Sequence, residues 1–149
     1  MDKKNTALKY FRGHFNCSQA VFTVFGTDDA LSEEQCLKTA CGFGAGIGRQ
    51  QLTCGAVTGA AMALGLRYGK GINDNEEKKT ETYARVRKLF SEFCKKNGSV
   101  SCRELLQGFD MNNPEEHQRI VEMRLFEVLC EKYVTDAVEI TEEIISKFP

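Results

Sequence analysis

Apolar residues recur along this chain at three- and four-residue intervals, and no segment shows the period-two alternation of a half-buried strand. Lys3 to Arg12 carries Leu8 and Phe11 at helical spacing and is stopped by Gly13. Asn16 is suited to cap a second helix, with Ala20, Val21, Val24 and Phe25 as its apolar face and Gly26 at its end. Ser32, with Gln35 three residues on, makes a capping box for a third helix that runs into glycines. Those glycines occupy every second position (Gly42, Gly44, Gly46, Gly48) and lead into a fourth helix, predicted from about Leu52 to Tyr68. A polar turn at Lys70 to Asn75 precedes a long helix, about Glu76 to Lys96, with Tyr83, Val86, Leu89, Phe90 and Phe93 inward and Gly98 closing it. Ser101 opens a short helix, Glu104 completing a second capping box, and Pro114 stands at the first position of the next, where its missing N–H costs nothing. The last helix is predicted from about Cys130 to Lys147, with Tyr133, Val134, Ala137, Ile140 and Ile144 as its stripe. The pattern predicts one all-α domain over residues 1–149. About six to seven helices surround the small-residue, glycine-rich one.

Composition narrows the class. At 149 residues the chain has room for a proper core, and a net charge of −1 argues against a nucleic-acid scaffold, which normally shows a basic excess. The N-terminal stretch is charged and lacks the apolar core of a secretory signal. The longest nearly uncharged run, Gln50 to Leu66, is too short and too rich in glycine to span a membrane. A cytoplasmic location with no transmembrane segment is expected.

The glycine segment resembles a phosphate-binding loop only in outline. G-x-G-x-x-G needs glycine at position 47 or 49, where Ile47 and Arg49 stand, and neither a preceding strand nor a following GK[ST] is present. On the fourth helix Gly55 and Gly59 sit four apart with Ala63 one turn on, so one face is nearly bare backbone. Each glycine costs a helix about 1 kcal/mol, which close packing recovers. Two occupants suit that face: another helix, within the chain or across a homodimer, or a cofactor approaching Gly55 and Gly59.

Seven cysteines are the richest chemical signal. In a reducing compartment they read as metal ligands, redox thiols or small hydrophobes, and no two form a C-x-x-C pair. Any site must be assembled from distant segments. Cys17 follows the Asn16 cap, Cys54 follows Thr53, Cys102 follows the Ser101 cap and Cys130 begins the predicted last helix. In a first helical turn, free N–H groups and the positive dipole end favour a thiolate, lowering its pKa from about 8.5. Cys36, Cys41 and Cys94 lie within or at the C-terminal ends of their helices and read as packing residues. His14, three residues before Cys17, is a weaker candidate base or ligand, and His117 reads as a surface residue. Arg49 and Arg103 are placed to steady a thiolate or an anion, or simply to make surface ion pairs.

NCSQAVF at 16–22, CGAVTGAAMALGL at 54–66, SCRELL at 101–106 and CEKYVTDAVEI at 130–140 together resemble the C_GCAxxG_C_C family, whose label is redox activity. The resemblance implies that the signature cysteines are Cys17, Cys54, Cys102 and Cys130, with Thr53 where the family pattern has glycine. It also implies a link to transporters of metals or oxyanions, and so a transporter-associated partner. Three functions compete. In the first, a thiol oxidoreductase, Cys54 attacks, a second cysteine resolves and an unidentified redox partner exchanges electrons with them. In the second, all four cysteines hold zinc or an iron–sulfur cluster. In the third, the chain is a non-catalytic helical partner of a transporter, and the cysteines are structural.

Overall fold

A computed structural model describes residues 2–149. Eight α-helices follow one another among them: α1 (Lys3–Arg12), α2 (Cys17–Gly26), α3 (Glu33–Cys41), α4 (Gly55–Tyr68), α5 (Glu76–Asn97), α6 (Cys102–Leu105), α7 (Pro114–Glu122) and α8 (Glu131–Lys147). A π-helical turn, Phe126–Cys130, leads directly into α8. No strand is present among the described residues, and the one isolated bridge pairs Thr53 with Ser101 in antiparallel sense.

Capping accounts for most of the boundaries. Asn16 accepts from the Gln19 amide and Gln19 returns the bond to the Asn16 amide, a reciprocal box at the start of α2. Ser32 and Gln35 do the same for α3. At α6 the box is half built. Ser101 accepts from the Glu104 amide at 3.3 Å, but the Glu104 carboxylate turns instead to the Ser99 hydroxyl at 2.6 Å. Gly98 ends α5 with φ +83°.

The central crossing is between α2 and α4. Every residue of α2 from Ser18 to Gly26 is buried, so this helix is covered on all sides rather than on one face. It packs against α1, α3, α4 and α8. The bare face of α4 is occupied by α2: a Cβ added at Gly59 would lie 2.7 Å from the Ser18 carbonyl oxygen, and one at Gly55 would collide with Cys17 Sγ. The small-residue face is therefore filled within the chain. On α5 the inward stripe begins one residue earlier than predicted. Thr82 is buried and donates to the Tyr68 carbonyl at 2.9 Å, whereas Tyr83 is 56% exposed. The hydroxyl satisfies the carbonyl at the end of α4, and that decides which of the two neighbours turns in. The α8 stripe of Tyr133, Val134, Ala137, Ile140 and Ile144 is buried as predicted. No helix of the described residues is long and apolar enough to cross a membrane.

Two hydrophobic clusters result. The larger joins α1 to α5 and α8. The smaller comprises Cys102, Leu106, Met111, Ile120 and Leu125, from the segment between α6 and the π turn.

Candidate functional site: a four-cysteine cavity

Cys17, Cys54, Cys102 and Cys130 all line one cavity of about 170 Å³, which lies where the two clusters meet. Four separate segments deliver them. Cys17 is the first residue of α2. Cys54 is the N-cap of α4, and its amide donates to the Val100 carbonyl at 2.7 Å. Cys102 is the first residue of α6, and its amide donates to Leu52 at 2.6 Å. These two bonds flank the Thr53–Ser101 bridge, so a two-residue piece of antiparallel ladder brings the α4 and α6 starts together. Cys130 closes the π turn and precedes α8 with helical dihedrals, φ −65° and ψ −35°.

Cys130 is thus not at a free helix start, as the sequence suggested. The chain breaks instead at Arg124, with φ +54°, and is helical from there through α8. The π turn holds one residue more than an α-turn would, which shifts the facing of the residues on either side of it. Phe126, Cys130 and Tyr133 all line the cavity.

The thiols do not behave as helix-start thiolates. Burial pushes Cys17 up, Cys54 well up, Cys102 to about 12 and Cys130 further still. Loss of solvent outweighs the dipole, and α6, with its single turn, has little dipole to offer. Cys17 nevertheless stands apart. Backbone amides of Ala45, Ser18, Cys17 itself and Gly55 favour its charged form, and no neighbouring charge opposes it. Cys54 has only the Ala56 amide in its favour, and the charges of Cys17, Cys102 and Cys130 all count against it. The negative charge of Cys17 raises each of the other three. Within the set, Cys17 is the sulfur whose backbone surroundings most favour a charge.

The Ala45 amide is delivered by an unusual piece of chain. Residues 45–49 all have positive φ, between +52° and +71°, and Gln51 follows at +56°. Gly46 is required there, because a Cβ would meet the backbone of Gln51 and Leu52 at 2.5 Å. Five hydrogen bonds fasten this left-handed turn to the loop at 109–112. Gln51 donates to the Phe109 carbonyl at 2.9 Å and accepts from the Met111 amide at 2.9 Å. Arg49 donates to the Asn112 side chain at 3.0 Å and to the Met111 carbonyl at 3.1 Å, while Asn112 donates back to the Arg49 carbonyl at 2.9 Å. Arg49 is therefore a loop fastener. Arg103 has a similar duty, donating to the Gly108 carbonyl at 3.1 Å.

The remaining candidates lie elsewhere. Cys36 is buried against Gly26, and Cys41 and Cys94 are exposed; none of the three lines the cavity. His14 is exposed on the α1–α2 connection. His117 packs beside Phe126, with ring centroids 6.1 Å apart. Of the two glycines marked for a cofactor, Gly55 lines the cavity and Gly59 is covered by α2. Sequence reasoning missed the cavity's apolar wall, Phe11, Leu105, Leu106, Met111 and Phe126. Leu105 and Leu106 adjoin a signature cysteine, but nothing local marks Met111. Among the described residues no three His, Cys, Asp or Glu side chains are grouped closely enough to hold a metal ion.

Residues 15–144 match the model of a family described as "Putative redox-active protein (C_GCAxxG_C_C)". A relative from Archaeoglobus fulgidus, described as an uncharacterized protein, is 27% identical over 145 residues, covering 93% of this chain and 89% of its own. No solved structure matches.

Proposed function

The chain belongs to the C_GCAxxG_C_C family, and from that premise we propose that it is a thiol redox protein working through the four-cysteine cavity, with Cys17 as the attacking sulfur and Cys54 as its partner. The observation that carries the reading is the setting of Cys17. It is the one cavity thiol ringed by several backbone amides, and its sulfur rests on Gly55, the residue next to Cys54. A thiol exchange centre needs one sulfur that carries charge and a second near enough to close a disulfide. The apolar surroundings keep both sulfurs protonated at rest, which slows uncontrolled oxidation. The role of attacker moves from Cys54, the expectation from sequence, to Cys17, because Cys54 faces three like charges and has a single amide in its favour.

An iron–sulfur centre is the second reading. It is favoured by the convergence of four cysteines on one shared cavity, since four is the thiolate count such clusters take. Cys17, Cys54, Cys102 and Cys130 would hold it, and it would supply one-electron transfer.

The deciding experiment counts free thiols and iron on the same anaerobically purified sample. The expected outcome is no stoichiometric iron or acid-labile sulfide, and a reversible loss of two thiols on mild oxidation, mapped by alkylation and mass spectrometry to Cys17 and Cys54. Cys17→Ala should abolish that loss and Cys94→Ser should leave it intact. Iron and sulfide lost from all four single variants would replace the first reading with the second.

A further inference from the structure

We propose that the cysteine cavity takes a small uncharged disulfide with an apolar body, and rejects charged disulfides. This rests on the thiol-redox reading above and adds the substrate class.

Size comes first. At about 170 Å³ the cavity is close to the roughly 150 Å³ of an apolar protein cavity that stays dry and binds benzene. A substrate of only a few heavy atoms fits, and a tripeptide disulfide does not. Charge comes second. No acidic or basic side chain lines the cavity. Its two polar side chains are already engaged. The Tyr133 hydroxyl donates to the Leu105 carbonyl at 2.8 Å. The Asn16 side chain accepts from the Gln19 amide and donates to the Cys41 carbonyl, each at 2.9 Å. A carboxylate brought in would leave water and find no partner, which is strongly unfavourable. Access comes third. Phe11, Asn16, Cys17, Ala45, Phe126 and Cys130 are the half-exposed members of the lining, so the opening lies on their side, with Cys17 among them.

The chemistry balances without a further reagent. The Cys17 thiolate attacks one sulfur of R–S–S–R, the substrate S–S bond breaks, and RS⁻ leaves and takes up a proton. Cys54, losing its proton, then attacks the Cys17 sulfur of the mixed disulfide and expels the second RS⁻, which is protonated in turn. The dithiol is oxidised by two electrons to the Cys17–Cys54 disulfide, and the substrate is reduced to two RSH.

The test uses the reduced full-length chain and three oxidants: dimethyl disulfide, the dianionic dithiodiglycolate and glutathione disulfide. Each rate is normalised to that of the same oxidant with free mercaptoethanol. The expected result is a normalised rate for dimethyl disulfide at least ~100-fold above those of the two charged disulfides, given the desolvation cost of a buried carboxylate, and competitive slowing by benzene. Equal normalised rates, or no effect of benzene, would overturn the substrate class alone. Failure of every disulfide to oxidise the protein would overturn the redox reading and the substrate class together.

Discussion

Cys17 and Gly55 show how much one missing methyl group decides. The Cys17 sulfur occupies the space a Cβ on Gly55 would fill, and Gly59 admits the Ser18 backbone in the same way one turn later. The two glycines should respond differently to substitution. Gly59→Ala pushes against main chain at 2.7 Å, which cannot yield without parting the two central helices, so a loss of about 1–3 kcal/mol is expected in urea unfolding. Gly55→Ala pushes against a side chain, which can rotate. Its expected effect is a smaller stability loss together with slower alkylation of Cys17, and an unchanged alkylation rate would detach Gly55 from the sulfur's placement. The thiols also make stability depend on pH. Cys102 is buried and raised to about 12, so above its ordinary value near 8.5 the unfolded chain loses a proton that the folded chain keeps. Its contribution is whole below pH 8.5 and falls as pH rises towards 12, by up to about 2 kcal/mol at pH 10. Urea midpoints at pH 7 and pH 10 should therefore diverge, and Cys102→Ser should narrow the gap. Equal narrowing by Cys94→Ser would remove burial as the cause.

At the scale of elements, the left-handed turn at 45–51 sets an energetic problem and the 109–112 loop answers it. Ala45, Ile47, Arg49 and Gln51 each hold a dihedral that costs an L-residue roughly 1–2 kcal/mol, and five hydrogen bonds hold them there. Gln51 is the buried centre of this fastening, pairing one amide and one carbonyl of the loop. Gln51→Ala leaves the Met111 amide without a partner in a buried setting, and a loss of about 1–3 kcal/mol is expected. Because Ala45 and Met111 both line the cavity, alkylation of Cys17 and Cys102 should quicken by more than global unfolding accounts for. Equal acceleration of Cys36, in the core away from the cavity, would mean general loosening instead. The elements also mark what the sequence disclosed. The caps at Asn16, Ser32 and Ser101 placed three helix starts, since a cap is a local bond between near neighbours. The family motifs separated the four cavity cysteines from Cys36, Cys41 and Cys94, whereas helix position did so for Cys17, Cys54 and Cys102 but misplaced Cys130. The facing of Thr82 over Tyr83, the π turn before Cys130 and the Gln51 fastening were not legible, because each depends on a partner far along the chain. The thiolate expectation went wrong for the same reason: a helix dipole is local, but burial is set by everything packed around the sulfur.

For the whole molecule, the proposed Cys17–Cys54 exchange has the consequence that the oxidation state of the pair would reach the global fold. The two residues close a loop of about 38 residues that contains α3 and the left-handed turn and joins the two central helices. On chain entropy a disulfide across such a loop stabilises by about 4 kcal/mol, less whatever strain the closure imposes. The oxidised chain should then unfold at a urea concentration about 2 M higher than the reduced one, for a slope near 2 kcal/mol/M. Cys17→Ala should show no difference between oxidising and reducing buffers, and Cys41→Ser should behave as the parent. If oxidation consumed two thiols and left the midpoint where it was, the bond formed would not span the central crossing, and the Cys17–Cys54 assignment would fall even with the redox function intact. A midpoint that dropped instead would mean that the α2–α4 contact is too rigid to accept the bond. The resting dithiol would then be the form the fold is built to hold, with the disulfide as a high-energy, oxidising state that readily takes electrons back.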